Sequence, residues 1–166
     1  TWLKHATLYP SYQLRLLKRG EVSYRKEGHG QREVTSGSLR YLRNGWRHEA
    51  FSKGVYQWVA RHNCYSTEEV ELVRKERAAP MRWRELLSRD AIIRRRALKR
   101  LAARLPGRPL WRFLYLYILR LGVLDGRAGL HYCLLTFAHE VHVSVKLHEA
   151  EYIEVSTLIA GEGAQR

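Results

Sequence analysis

The sequence predicts an α+β fold, with short antiparallel strands over residues 1–50 followed by a helical region that lies at a membrane interface. Three observations lead there. Short, partly alternating runs punctuated by glycine fill the opening of the chain. Apolar residues then recur at three- and four-residue spacing between Ser or Asp starts and proline stops. A dense basic stretch is followed at once by the most apolar segment, a membrane-surface pattern more often than a nucleic-acid one.

The strands come first. Tyr12 to Arg19 alternates in part and stops at Gly20, and Val22 to Arg25 offers a partner, so a hairpin is expected. Glu27-Gly28-His29-Gly30-Gln31 reads as a loop, because its two glycines disfavour regular structure. Arg32 to Thr35, a Ser36-Gly37 turn and Ser38 to Leu42 predict a second hairpin. So few strands do not make a stable sheet alone, so they are expected to extend a sheet whose other strands precede Thr1.

Residues 51–80 form a helical connection. Ser52 is a plausible N-cap, and Val55, Trp58 and Val59 make an apolar stripe. Ser66-Thr67-Glu68-Glu69 predicts a second helix start after Asn63, and Pro80 a stop. Residues 81–150 are the basic and apolar part. Asp90 opens a helix to about Leu105, with Ile93, Ala97, Leu101 and Leu105 on one face, ended by Pro106-Gly107. Pro109 starts another through about Leu121. After a break at 122–129, where Asp125 can cap the next segment, a long helix runs from about Ala128 to Glu149. Residues 151–166 read as a tail, frayed after Ser156.

The net charge of +14 calls for an anionic partner. Between Met81 and Arg112 stand eleven Lys or Arg against two acids, Glu85 and Asp90. Leu110 to Leu124 is apolar but short and carries Arg112 and Arg120, whereas a membrane span needs roughly 20 apolar residues. An interfacial helix pair fits better, with Arg94, Arg95 and Arg96 meeting headgroups and Trp111, Phe113 and Tyr115 at the water–lipid boundary. Cys64 and Cys133 make no disulfide framework and read as reduced thiols. The chain opens on Thr1 with no signal-peptide pattern, so further sequence is expected upstream. His139-Glu140-Val141-His142 spaces its histidines three apart, not the four a zinc helix needs, so no metal site is expected.

Two separated runs carry a resemblance: Tyr9-Pro10-Ser11-Tyr12-Gln13-Leu14-Arg15-Leu16 and Leu124-Asp125-Gly126-Arg127-Ala128-Gly129-Leu130. With Phe51-Ser52-Lys53-Gly54 and His62-Asn63-Cys64-Tyr65-Ser66-Thr67 between them, the chain to about Glu149 is similar to the C-terminal, acceptor-side part of bacterial family 2 glycosyltransferases. These build lipopolysaccharide and exopolysaccharide. The resemblance implies a GT-A-type fold and inverting transfer of a sugar from a nucleotide-sugar donor to the hydroxyl of a lipid-linked or saccharide acceptor. It also implies a peripheral position on the cytoplasmic face of the inner membrane.

Such transfer uses a divalent cation, Mg or Mn, held by an Asp-x-Asp motif to neutralise the departing diphosphate. The only aspartates here are Asp90 and Asp125, so those ligands are expected outside this chain, which alone should not turn over. Relatives place a base in a His-Glu or Gly-His-Gly-x-Arg-Glu run, matched here by Gly28-His29-Gly30-Gln31-Arg32-Glu33. Glu33 is the first candidate for the base and His29 the second, or its orienting partner. Gln31 stands where the His-Glu form has its glutamate, and an amide cannot take that proton. Arg15, Arg32 and Lys53 are candidates for phosphate contact; solvated surface cations are the other reading. Two further classes stay open: a basic nucleic-acid-binding protein, suggested by an isoelectric point of about 10.2, and a non-catalytic membrane-surface adaptor. No zinc spacing or RNP-like run favours nucleic acid, which is not the expected partner.

Overall fold

The computed structural model describes residues 2–7, 11–27 and 30–163, without the side chains of 158–163. The fold is α+β: one two-stranded antiparallel sheet and a set of helices. No helix among the described residues is long and apolar enough to cross a membrane.

The two strands are β1 (Ser23–Glu27) and β2 (Gly30–Val34), registered Ser23 to Val34 and Glu27 to Gly30. The expected strand order therefore changes. Of the residues read as a loop, Glu27, Gly30 and Gln31 belong to the paired strands, and Gly28 and His29 fall outside the described residues. Tyr12 to Arg19 and Ser38 to Leu42 are not strands. Alternation there finds no neighbouring strand among the described residues to supply ladder hydrogen bonds, and without one it does not make a strand. Both outer edges of the ribbon lack a strand neighbour among the described residues.

Helix α1 (Gly54–Ala78) starts after Lys53, not Ser52, and is continuous through Asn63, against the expected second start. The Ser66 hydroxyl donates to the Asn63 carbonyl at 2.7 Å instead of capping a new helix. Pro80 does end α1: the residue before it, Ala79, is extended, as a pre-proline residue prefers. A short 3-10 turn (Trp83–Leu87) leads to α2 (Ala91–Arg104), whose first turn is capped by the Asp90 carboxylate accepting from the Ile92 amide at 2.7 Å. Helix α3 (Arg108–Leu114) has Pro109 in its first turn and runs on into a π-helical turn (Tyr115–Leu119). A 3-10 turn (Gly122–Asp125) then opens α4 (Gly126–Gly163), which reaches well past the expected start of fraying.

Helices α1 and α4 run parallel. The His62 ring meets that of His139 edge-on at 5.3 Å toward the start of each helix, while Arg77 pairs with Glu151 at 3.1 Å farther on. Val70 and Val73 of α1, Val143 and Leu147 of α4 and Ala103 of α2 form one core. Helix α3 returns antiparallel to α4, with Arg108 on Glu140 at 3.1 Å and Phe113 edge-on to Phe137. Ala6, Leu116 and Cys133 form a second core there, flanked by Phe113, Tyr117 and Tyr132.

Where α1 and α2 end, each helix closes the other. Arg77 of α1 donates to the Ala103 carbonyl at 2.8 Å, and Arg104 of α2 donates to the carbonyls of Arg77 and Ala79. Carbonyls that helix termini leave unsatisfied are thus taken up by a neighbour's guanidinium. Midway along the parallel pair, the Lys146 ammonium reaches the Asn63 carbonyl and side-chain oxygens, the Ser66 hydroxyl and the Thr67 hydroxyl, all within 2.7–2.9 Å. Lys146→Met keeps the aliphatic stem and removes this tie. A loss of about 1.5–3 kcal/mol is expected in urea unfolding, the range for hydrogen bonds to a charged group; an unchanged midpoint would show the contact to be idle.

Candidate functional site

The hairpin carries the residues expected to do chemistry. Glu33 sits on β2, half-buried, opposite Tyr24. Gln31 lies two residues earlier on the same strand, so both side chains project from one face of the ribbon. Arg32, on the other face, pairs with Glu27 at 3.1 Å. Lys26 reaches Glu68 of α1 at 3.0 Å and ties the hairpin to the helices. His29 lies outside the described residues.

The three phosphate candidates do not share one setting. Arg15 donates to the Gln13 side chain at 2.6 Å and lies over the Trp46 ring at 5.4 Å. Lys53 is exposed just before α1, and Arg32 is held by Glu27.

The basic helix presents Arg94, Arg95 and Arg96 to solvent in succession, with Arg94 donating to the Ser88 carbonyl at 3.1 Å. Trp111 is exposed and its indole N–H donates to the Pro106 carbonyl at 3.0 Å; Tyr115 is partly exposed. Phe113 turns inward, stacked on Tyr117 at 5.3 Å and packed against the second core. A large aromatic gains more from closing that core than from solvent.

The Asp-Gly-Arg-Ala-Gly-Leu run forms a joint that sequence alone does not reveal. Asp125 was expected to cap the long helix. Its carboxylate instead accepts three consecutive amides, from Lys4 at 3.1 Å, His5 at 2.9 Å and Ala6 at 2.7 Å, with the His5 ring at 2.9 Å. Its side chain is only 4% exposed. Burial alone would push this carboxyl up; the Ala6 amide, the His5 ring and the His5 and Lys4 amides outweigh it and hold it at about 2, below the ordinary 3.8. Burial raises the neighbouring Tyr132 hydroxyl and Cys133 thiol above their ordinary values.

Two glycines let the joint close. A Cβ on Gly129 would stand 2.3 Å from the Gly122 carbonyl oxygen, and one on Gly122 would stand 2.6 Å from that of Leu116. Both obstacles are backbone. Gly129→Ala is therefore expected to cost more than the roughly 1–3 kcal/mol of ordinary overpacking, read as a lowered Tm; an unshifted Tm would mean that the two turns separate freely.

Among the described residues no group of three or more His, Cys, Asp or Glu is placed to hold a metal ion. His139 faces Glu69 at 3.7 Å, while Glu140 turns to Arg108. A shallow apolar hollow of about 380 Å³ lies between the starts of α1 and α4, lined by Val55, His131, Leu134 and Leu135. Sequence reasoning also missed an exposed apolar turn at 118–124, whose leucines blend into the apolar run of α3. No family model matches the chain, and no curated protein or solved structure is significantly similar to it.

Proposed function

We propose that this chain is the acceptor-side, membrane-facing part of an inverting family 2 glycosyltransferase, with a GT-A-type donor half contributed by polypeptide outside it. The enzyme passes a sugar from a nucleotide-sugar donor to a hydroxyl on a lipid-linked or saccharide acceptor, in the assembly of bacterial cell-surface polysaccharide or lipopolysaccharide.

One observation carries this reading. The Asp-Gly-Arg-Ala-Gly-Leu run, the most distinctive piece of the resemblance, is tied through Asp125 to the amides of residues 4–6, which precede the Tyr9 to Leu16 run in the sequence. The open edges of the β-ribbon fit a sheet completed by other strands. Glu33 is the general base on the acceptor hydroxyl, and Arg15, Arg32 and Lys53 contact phosphate. The divalent cation neutralises the departing diphosphate. This chain's residues do not fit it, since Asp90 caps α2 and Asp125 holds residues 4–6. Exposed arginines on α2, together with exposed Trp111 and Tyr115, support an anionic membrane surface over nucleic acid as the partner, at the cytoplasmic face of the inner membrane.

The test is transfer by a polypeptide joining this chain to the segment that precedes it in its gene. Labelled sugar should pass from a nucleotide sugar to an acceptor in bacterial inner-membrane extract, only with Mg²⁺ or Mn²⁺ present. Absence of transfer from every common nucleotide sugar would remove the reading.

A further inference from the structure

The turn linking α3 to α4 has an apolar surface of its own. Five apolar side chains point outward within seven residues: Ile118, Leu119, Leu121, Val123 and Leu124, with Leu119 75% and Leu124 64% exposed. Apolar exposure this dense on one turn marks an interaction surface.

The turn is built, not loose. The Arg120 amide bonds to the Tyr115 carbonyl at 2.8 Å, and the Leu124 amide to that of Leu121 at 2.9 Å. Leu121 holds φ 58°, ψ 32°, a left-handed conformation that costs a non-glycine residue roughly 1–2 kcal/mol. Gly122, seated against the Leu116 carbonyl and Ala6, and Asp125, seated on residues 4–6, fix its base. The fold therefore sustains strain in a turn whose leucines face water.

Charge selects the occupant. From Gly107 to Leu124, the stretch that makes α3 and the turn, the sequence holds three Arg and no acid. Exposed Arg127 comes just after the turn, and exposed Lys4 is brought beside it by the Asp125 clip. The Lys4 ammonium lies 4.9 Å from the centroid of the Trp2 ring, itself exposed. Leucines at the apex, with tryptophan and cations around the base, match a bilayer's hydrocarbon, headgroup boundary and phosphates in turn. We propose that residues Ile118 to Leu124 form an insertion knuckle that enters an anionic bilayer, with Trp2, Lys4 and Arg127 at headgroup level.

The knuckle rests on the membrane-surface part of the function proposed above, and the experiment separates the two. The protein is floated with vesicles of phosphatidylcholine and phosphatidylglycerol, and with phosphatidylcholine alone. Leu119→Ser with Leu124→Ser should lower partition into anionic vesicles by about tenfold per leucine, with circular dichroism and Tm retained because both side chains are exposed. In a Cys64→Ser background, an environment-sensitive dye on Leu124→Cys should shift blue with anionic vesicles. The same dye on Val145→Cys, roughly 28 Å further along α4 at 1.5 Å per residue, should not. Binding by the double variant equal to wild type, with the 124 dye still in water, overturns the knuckle and leaves docking to Arg94–Arg96. A wild-type chain that floats with neither vesicle overturns both. Loss of self-association without loss of flotation assigns the turn to a second copy of the chain and overturns the proposal.

Discussion

Glu33→Gln, in a polypeptide joining this chain to the proposed donor half, is expected to lower kcat by about 10²–10⁴-fold, the usual contribution of a positioned general base, if the proposed function holds. The substitution preserves shape, so the pairing of residue 33 with Tyr24 and the Lys26 to Glu68 tie should persist. Vesicle binding should not change. Residues 31 and 33 share a face of β2, roughly 6.6 Å apart at 3.3 Å per residue, so under the function proposed above a base at 33 would stand in for one at 31. Gln31→Glu should accordingly restore part of the rate lost in the Glu33→Gln chain. Near-normal kcat in Glu33→Gln would transfer the role to His29 or to another group, and His29→Ala measured alongside tells which.

Acid should loosen the joint at Asp125. The folded carboxyl titrates at about 2, below 3.8, so between those values the unfolded chain binds the proton that the folded chain refuses. Stability from this group is complete above about pH 4 and falls as the pH drops toward 2, by about 2 kcal/mol in all. Asp125→Asn removes that pH dependence. It also costs stability at neutral pH, because three amides facing one buried oxyanion meet an amide group whose NH₂ end cannot accept. Urea titrations of both proteins from pH 2.5 to 7 provide the check. The curves should converge toward the acid end, and curves that stay parallel would exclude the joint as an acid-sensitive element.

Helix punctuation was legible because it is local. Pro80 sets φ/ψ for Ala79, Asp90 reaches an amide two residues on, and Pro109 tolerates a first turn without its N–H; each acts within a few residues. The Ser66-Thr67-Glu68-Glu69 run misled for the same reason. It has the composition of a helix start, but its hydroxyls turn back to Asn63 and receive the distant Lys146. Strand register was misplaced because pairing is decided by the partner strand, and the glycines around His29 suit a hairpin tip as well as a loop. Of the candidate site, the placement of Arg32 and Glu33 on one strand was foreseen, as was solvent exposure of Arg94 to Arg96. The inward turn of Phe113 and the clasp of Asp125 on residues 4–6 depend on contacts across more than twenty and more than a hundred residues respectively, beyond any local window.

The parallel course of the first and last long helices bears on how the chain is made. An antiparallel pair closes as a hairpin while it leaves the ribosome; this pair cannot, since the polypeptide must travel back along its own length before the second helix begins. Val70 and Val73 consequently meet only Ala103 of their core partners until translation has reached Val143 and Leu147. A pause or cut before that point leaves α1 and α2 without the α4 side of their core, a species prone to chaperone capture or clumping.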